Sequence, residues 1–88
     1  MNLRRIIEEV IEAYNHYRSP EAIAKLTTFT NDQFTVFFKG PFCQSCGVYD
    51  YFEDLIYEVK NLASLSIEIT KIKEEKEGFT VTYKLSSI

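Results

Sequence analysis

The sequence predicts an α+β domain in which two helices pack on one face of a sheet. Two observations support this: apolar residues recur at three- and four-residue steps over two segments, and they alternate with polar residues over four shorter ones. The segments follow the order α-β-β-α-β-β, which is typical of a two-layer sandwich with a mixed or antiparallel sheet. With 88 residues, the chain is expected to form one domain over residues 1–88.

The first helix is predicted over residues 3–18. Arg4 lies four residues before Glu8, so the two can form a weak ion pair on the solvent side. Pro20 disfavours a helical residue before it, so the helix should end near Arg18. The residues predicted to face the core are Leu3, Ile6, Ile7, Val10, Tyr14 and Tyr17.

Two strands are predicted after this helix. Ser19-Pro20-Glu21 is typical of a helix start, and we interpret it as a short turn that continues towards Leu26. Thr27-Thr28-Phe29-Thr30 has the composition of a strand. After a turn, Phe34, Val36 and Phe38 alternate with their neighbours, which predicts a second strand that stops before Gly40 and Pro41.

The residue patterns in the second half of the chain predict a helix and a β-hairpin. Alternation predicts one strand over residues 65–70 and another over residues 79–86, joined by a charged turn over residues 73–78. The residues predicted to form the buried face of the second helix are Val48, Phe52, Leu55, Val59 and Leu62.

Composition excludes several functional classes. The net charge is −3 and the lysines are scattered, so no basic stripe for nucleic acid is expected. The N-terminal segment turns acidic at Glu8 and Glu9, and no apolar run approaches the roughly 20 residues that span a bilayer, so neither a secretory signal nor a membrane anchor is expected. We therefore expect a cytoplasmic protein. The Lys- and Glu-rich tail and the frequent tyrosines would suit a thermophile.

The concentrated chemistry of the sequence is the pair Cys43 and Cys46. Thiolate sulfur binds soft metals and attacks disulfides, and a spacing of two residues lets both sulfurs converge on one atom. Gly40 and Gly47 bracket the pair and permit tight backbone geometry. Three interpretations follow: a metal or cluster site, a dithiol oxidoreductase in which Cys43 attacks and Cys46 resolves, or a structural clip in an interaction module without a cofactor.

The number of ligands favours a site shared by two chains. Zinc takes four protein ligands in structural sites, and a cubane iron–sulfur cluster takes four cysteine sulfurs. One chain offers two cysteines and His16, which we interpret as an ordinary helix residue. A complete site therefore predicts a homodimer with both cysteine pairs at the two-fold axis.

Carboxylates follow the cysteines closely along the chain. The nearby negative charge of Asp50, Glu53 and Asp54 would raise the pKa of a thiol, which disfavours the oxidoreductase. We interpret these acids as the start of a helix, where they suit its dipole, and we predict no catalytic residue among them.

Residues 38–46, Phe-Lys-Gly-Pro-Phe-Cys-Gln-Ser-Cys, resemble the C-terminal domain of NifU-type iron–sulfur cluster scaffold and carrier proteins. The element order over residues 3–72 is similar to that of the wider superfamily of iron–sulfur cluster assembly domains, and Ser19-Pro20-Glu21 resembles the D-P-E step of its PaaD-like members. The resemblance implies that Cys43 and Cys46 bind an iron–sulfur cluster shared between two chains, which passes to an acceptor protein. Zinc is the alternative metal.

Aromatic residues cluster in the middle third of the chain. Phe34, Phe38 and Phe52 are predicted to be core residues, because large apolar side chains dominate protein interiors. Phe37, Phe42 and Tyr49 are candidates for an exposed contact patch around the cysteines.

Overall fold

A computed structural model describes residues 2–41 and 48–86 of the protein. The predicted α+β class and element order are confirmed. Within the described residues, neither helix has the length and apolar character needed to cross a bilayer. The elements are α1 (Leu3–Arg18), β1 (Ile23–Phe29), β2 (Gln33–Lys39), α2 (Val48–Ala63), β3 (Ile67–Glu75) and β4 (Gly78–Leu85).

The four strands form one sheet in the order β1-β2-β4-β3, and every neighbouring pair is antiparallel. Two hairpins, β1–β2 and β3–β4, therefore meet along the β2–β4 contact in the middle of the sheet. Helix α2 carries the chain from β2 in the first hairpin to β3 in the second. As a result β1 and β3 are the two edge strands.

The core lies between the two helices and one face of the sheet. Tyr14 of α1 contacts Phe38 of β2 edge to face, with ring centroids 5.8 Å apart, and Phe38 in turn packs against Phe52 of α2 at 5.0 Å. These contacts bind both helices to the central strands. The largest fully buried side chains are those of Ile7, Tyr14, Phe34, Val36, Phe38, Phe52, Leu55, Val59, Val81 and Tyr83.

Two strands are longer than the sequence predicted. β1 begins at Ile23 instead of Thr27, because residues 23–26 pair with residues 36–39 of β2. β3 continues to Glu75, because residues 71–75 pair with residues 78–82 of β4, so the turn of the hairpin shrinks to Lys76 and Glu77. In both places a cross-strand partner, which local composition does not reveal, selects the strand conformation.

Two residues predicted to face the core are exposed. Tyr17 is 70% exposed, because steps of about 100° per residue place it at the margin of the apolar face of α1. Leu62 is 59% exposed in the last turn of α2, where it borders a groove between the helices. The predicted pair of Arg4 and Glu8 is confirmed at 3.5 Å, with both side chains largely in solvent.

Candidate functional site

The predicted ligands Cys43 and Cys46 lie in residues 42–47, outside the described residues. The structure does define both flanks of this segment. β2 ends at Lys39, and Gly40 and Pro41 follow it; α2 begins at Val48, two residues after Cys46. The cysteine pair therefore belongs to a strand-to-helix connection whose two ends are fixed.

The strand-side flank is fixed by close packing at Gly40. Its φ of +134° lies in the region that side chains avoid, and a Cβ there would collide with the carbonyl oxygen of Glu21 and lie 3.3 Å from the Cα of Ala22. Only glycine allows the chain leaving β2 to approach the turn between α1 and β1 this closely.

Glu21 also holds the helix-side flank. The hydroxyl of Tyr51, in the first turns of α2, donates a hydrogen bond of 2.7 Å to the Glu21 carboxylate. This hydrogen bond is the main reason why the pKa of Tyr51 is raised, with desolvation and the negative charge of Glu21 adding to it. One residue, Glu21, thus contacts the chain before and after the cysteine segment.

Two buried tyrosines fix the same part of α2 from below. The hydroxyl of Tyr14 donates to the carbonyl oxygen of Tyr51 at 2.9 Å, and the hydroxyl of Tyr83 donates to the carbonyl oxygen of Phe52 at 2.9 Å. Burial raises the pKa of both phenols well above the ordinary value, so both stay protonated and keep donating. The start of α2 is therefore tied to α1 and to β4.

The charge near the cysteine segment is partly compensated. Arg18 forms an ion pair with Asp54 at 3.2 Å, and its guanidinium lies 5.2 Å from the centre of the Tyr14 ring. Asp50 is exposed and Glu53 is half-buried. One of the three carboxylates expected to oppose thiolate formation therefore has a cationic partner.

The described residues supply no further ligand set. Among residues 2–41 and 48–86, no three histidine, cysteine, aspartate or glutamate side chains lie close enough together to hold a metal ion. His16 is exposed near the end of α1, where its ring contacts Tyr17 at 5.1 Å.

The predicted aromatic residues divide into three groups. Phe34, Phe38 and Phe52 are confirmed as core residues, each at most 1% exposed. Phe37 is half-buried and Tyr49 is 49% exposed, so Tyr49 is the better candidate for a contact near the cysteines. Phe42 lies outside the described residues.

Sequence reasoning missed the contacts that fix the flanks of the segment. Glu21 and Tyr51 are 30 residues apart in the chain, and Tyr83 is 31 residues from Phe52. No local pattern reveals such pairs. The one available signal was Gly40 after a strand, since glycine often marks a close approach of two backbones.

Fold and site together define a two-layer α+β domain with a Cys-x-x-Cys segment between its second strand and its second helix. No protein-family model matches the chain, and neither a curated protein nor a solved structure matches it.

Proposed function

We propose that this protein is a carrier or scaffold for an iron–sulfur cluster, or for another soft metal such as zinc, with Cys43 and Cys46 as its ligands. The observation that carries the proposal is the contact of one residue with both described flanks of the strand-to-helix connection around the pair. Glu21 touches Gly40 before it and Tyr51 after it. The resemblance of residues 38–46 to the NifU-type carriers points to the same chemistry.

The ends of the segment favour thiolates. α2 begins two residues after Cys46, and the amino end of a helix stabilises negative charge. The ion pair between Arg18 and Asp54 removes part of the opposing charge. A reducing compartment such as the cytoplasm would keep both thiols free to bind a metal.

The cargo is expected to be shared. Each chain offers two cysteine sulfurs, and zinc or a cubane cluster takes four. A second copy of the chain supplies the other pair in a homodimer, and an acceptor protein then takes the cargo as its own thiolates replace those of Cys43 and Cys46 one by one. No catalytic residue is required for this exchange.

The proposal is tested by metal loading under anaerobic conditions. The protein is reconstituted once with iron and sulfide and once with zinc, and the metal content and visible absorbance are measured. We expect one cluster or one zinc ion per two chains, and complete loss of binding in Cys43→Ser/Cys46→Ser. Ser45→Ala, a change in the same segment that keeps both sulfurs, is the matched control and should bind like the wild type.

Three outcomes would contradict the proposal. Equal metal binding by the double variant would place the ligands elsewhere. No binding by the wild type, together with a disulfide reductase activity that Cys43→Ser abolishes, would favour the dithiol oxidoreductase. A folded wild-type protein with neither metal binding nor disulfide reductase activity would favour the interaction module.

A further inference from the structure

The two edge strands of the sheet differ in the hydrogen bonding of their outward backbone groups. At the β1 edge, the side-chain amide of Asn15 in α1 donates to the Ala24 carbonyl oxygen at 2.9 Å and accepts from the Ala24 amide at 2.7 Å. The Asn15 side chain thus occupies the outward backbone groups of Ala24, with which another strand would pair. An open edge, in contrast, is a template for strand addition.

The β3 edge is open. Within the described residues the sheet ends at β3, whose nine residues are exposed along most of their length. The amide of Ser86 donates to the carbonyl oxygen of Ser66 at 2.8 Å, so alternation turns the backbone groups of Ile67 and Ile69 away from β4. The register shifts at a bulge between Ile69 and Lys71, so the alternation beyond it is counted from the hairpin turn. Glu75 pairs with Gly78 across the two-residue turn, and the backbone groups of Ile72 and Glu74 therefore point outward.

We propose that the protein forms a dimer in which β3 pairs antiparallel with β3 of a second copy, with Ile69 opposite Ile72. In this register Ile67 lies opposite Glu74 and Glu68 lies opposite Lys73. Two-fold symmetry makes each contact twice. The outward groups Ile67, Ile69, Ile72 and Glu74 then become the hydrogen-bonding positions of the new ladder.

One side-chain pair on each face of the sheet agrees with this register. Ile69 and Ile72 are the cross-strand partners of the buried Tyr83 and Val81, so both point to the helix-covered face and would meet there. Glu68 and Lys73 lie on the opposite face, where a close cross-strand pair of opposite charges stabilises a sheet.

The same strand discourages other partners. Lysines and a bulge on an edge are common protection against arbitrary strand pairing. A slip of one residue in one of the two directions brings Lys71 opposite Lys71 of the second copy, so like charges meet there. The charge pattern therefore favours the proposed register over this slipped one.

This contact is separate from the proposed metal-shared contact. Gly78, at the turn of the β3–β4 hairpin, packs on the carbonyl oxygen of Phe38, so the turn lies beside the end of β2 that leads to Cys43. Antiparallel pairing of two β3 strands places these two ends at opposite ends of the joined sheet. The dimer should therefore form without metal.

The test uses the metal-free Cys43→Ser/Cys46→Ser protein in sedimentation equilibrium over a range of concentrations. We expect a monomer–dimer equilibrium that Glu68→Lys and Lys73→Glu each weaken about tenfold, because each change creates two repulsive pairs. The double variant Glu68→Lys/Lys73→Glu should have a dimer dissociation constant within about threefold of the wild-type value. The two positions are five residues apart on one strand, about 16 Å, so only a second chain can produce the rescue.

Lys71→Glu is the matched control, since it makes the same change on the same exposed face of β3. It lies only diagonal to residue 68 of the second copy, so it should rescue Glu68→Lys much less than Lys73→Glu does. Because Glu68 also opposes Lys84 within its own chain, circular dichroism and urea unfolding of each variant verify that it folds. A protein that is monomeric at all concentrations, a double variant without rescue, or rescue by Lys71→Glu as complete as that by Lys73→Glu would overturn the proposal.

The two proposals fail separately. Loss of metal binding by a protein that still forms the edge dimer would contradict the carrier function alone. Metal binding by a protein that is monomeric when metal-free would contradict the β3 dimer alone.

Discussion

The two edge strands of the sheet show how unevenly a small domain covers its surface. β1 lies beneath α1, buries Ala24 and has its outer backbone groups at that residue bonded to Asn15. β3 lies at the other edge and is mostly exposed, and Ile72 on its inner face is 38% exposed. A helix that covers an edge also closes it to other strands, whereas an uncovered edge stays available for pairing.

The largest effect is expected at the closed edge. Asn15→Leu keeps the size of the side chain but leaves the amide and the carbonyl of Ala24 without their partners, so we expect a loss of about 2–3 kcal/mol in the free energy of unfolding. Urea unfolding measures it. Asn61→Leu, at an exposed position of α2, is the control and should change stability by less than about 0.5 kcal/mol. A similar value for Asn15→Leu would mean that β1 does not need this closure.

The second prediction tests how far the two helices cover the sheet. β4 lies next to β3, yet Tyr83 in it is fully buried, and burial raises the pKa of its phenol. Above about pH 10 the unfolded chain releases this proton while the native chain keeps it. The free energy of unfolding is therefore unaffected by this group below about pH 10. Above that pH it should fall by about 1.4 kcal/mol per pH unit for each buried tyrosine of this kind.

Tyr83→Phe removes one of these groups. Urea unfolding at pH 8 and at pH 11 measures how much the free energy of unfolding falls between the two. This fall should be about 1.4 kcal/mol smaller in Tyr83→Phe than in the wild type. Tyr17→Phe, at a side chain 70% exposed, should leave the wild-type loss unchanged. An identical pH dependence in Tyr83→Phe would show that water reaches β4 and that the covered region ends earlier.

The smallest effect is expected at the open edge. Ile72→Thr should change the stability of the monomer by less than about 0.5 kcal/mol, because the side chain already lies partly in solvent. Ile67→Thr on the same strand, where the residue is 5% exposed, should cost about 2 kcal/mol. Unfolding at concentrations below the dimer range measures both, and equal losses would mean that the helices cover β3 along its whole length.

Much of the fold follows from local patterns. The helical periodicity of residues 3–18 and 48–63 and the alternation in β2 and β4 identify four elements with nearly correct ends, because burial on one face requires such patterns. The extent of β1 and β3 was wrong, because charged residues such as Lys73 and Glu74 belong to a strand only when the neighbouring strand pairs with them.

The candidate site divides in the same way. The cysteine spacing and the glycine before it are visible in the sequence, and so is the chemistry that thiolates can perform. The contacts of Glu21 with both flanks and the hydroxyl bonds of Tyr14 and Tyr83 are not, because they join residues 19 to 37 positions apart.

The sequence by itself determined the class of the fold, the order of its elements and the spacing of the two cysteines that we propose as ligands. These depend on periodicity and on residue chemistry, which are local properties. The tertiary structure alone decided that Asn15 bonds the outward backbone groups of Ala24 at one edge of the sheet, and that one glutamate contacts both flanks of the cysteine segment. Such pairings depend on which distant residues meet when the helices pack on the sheet.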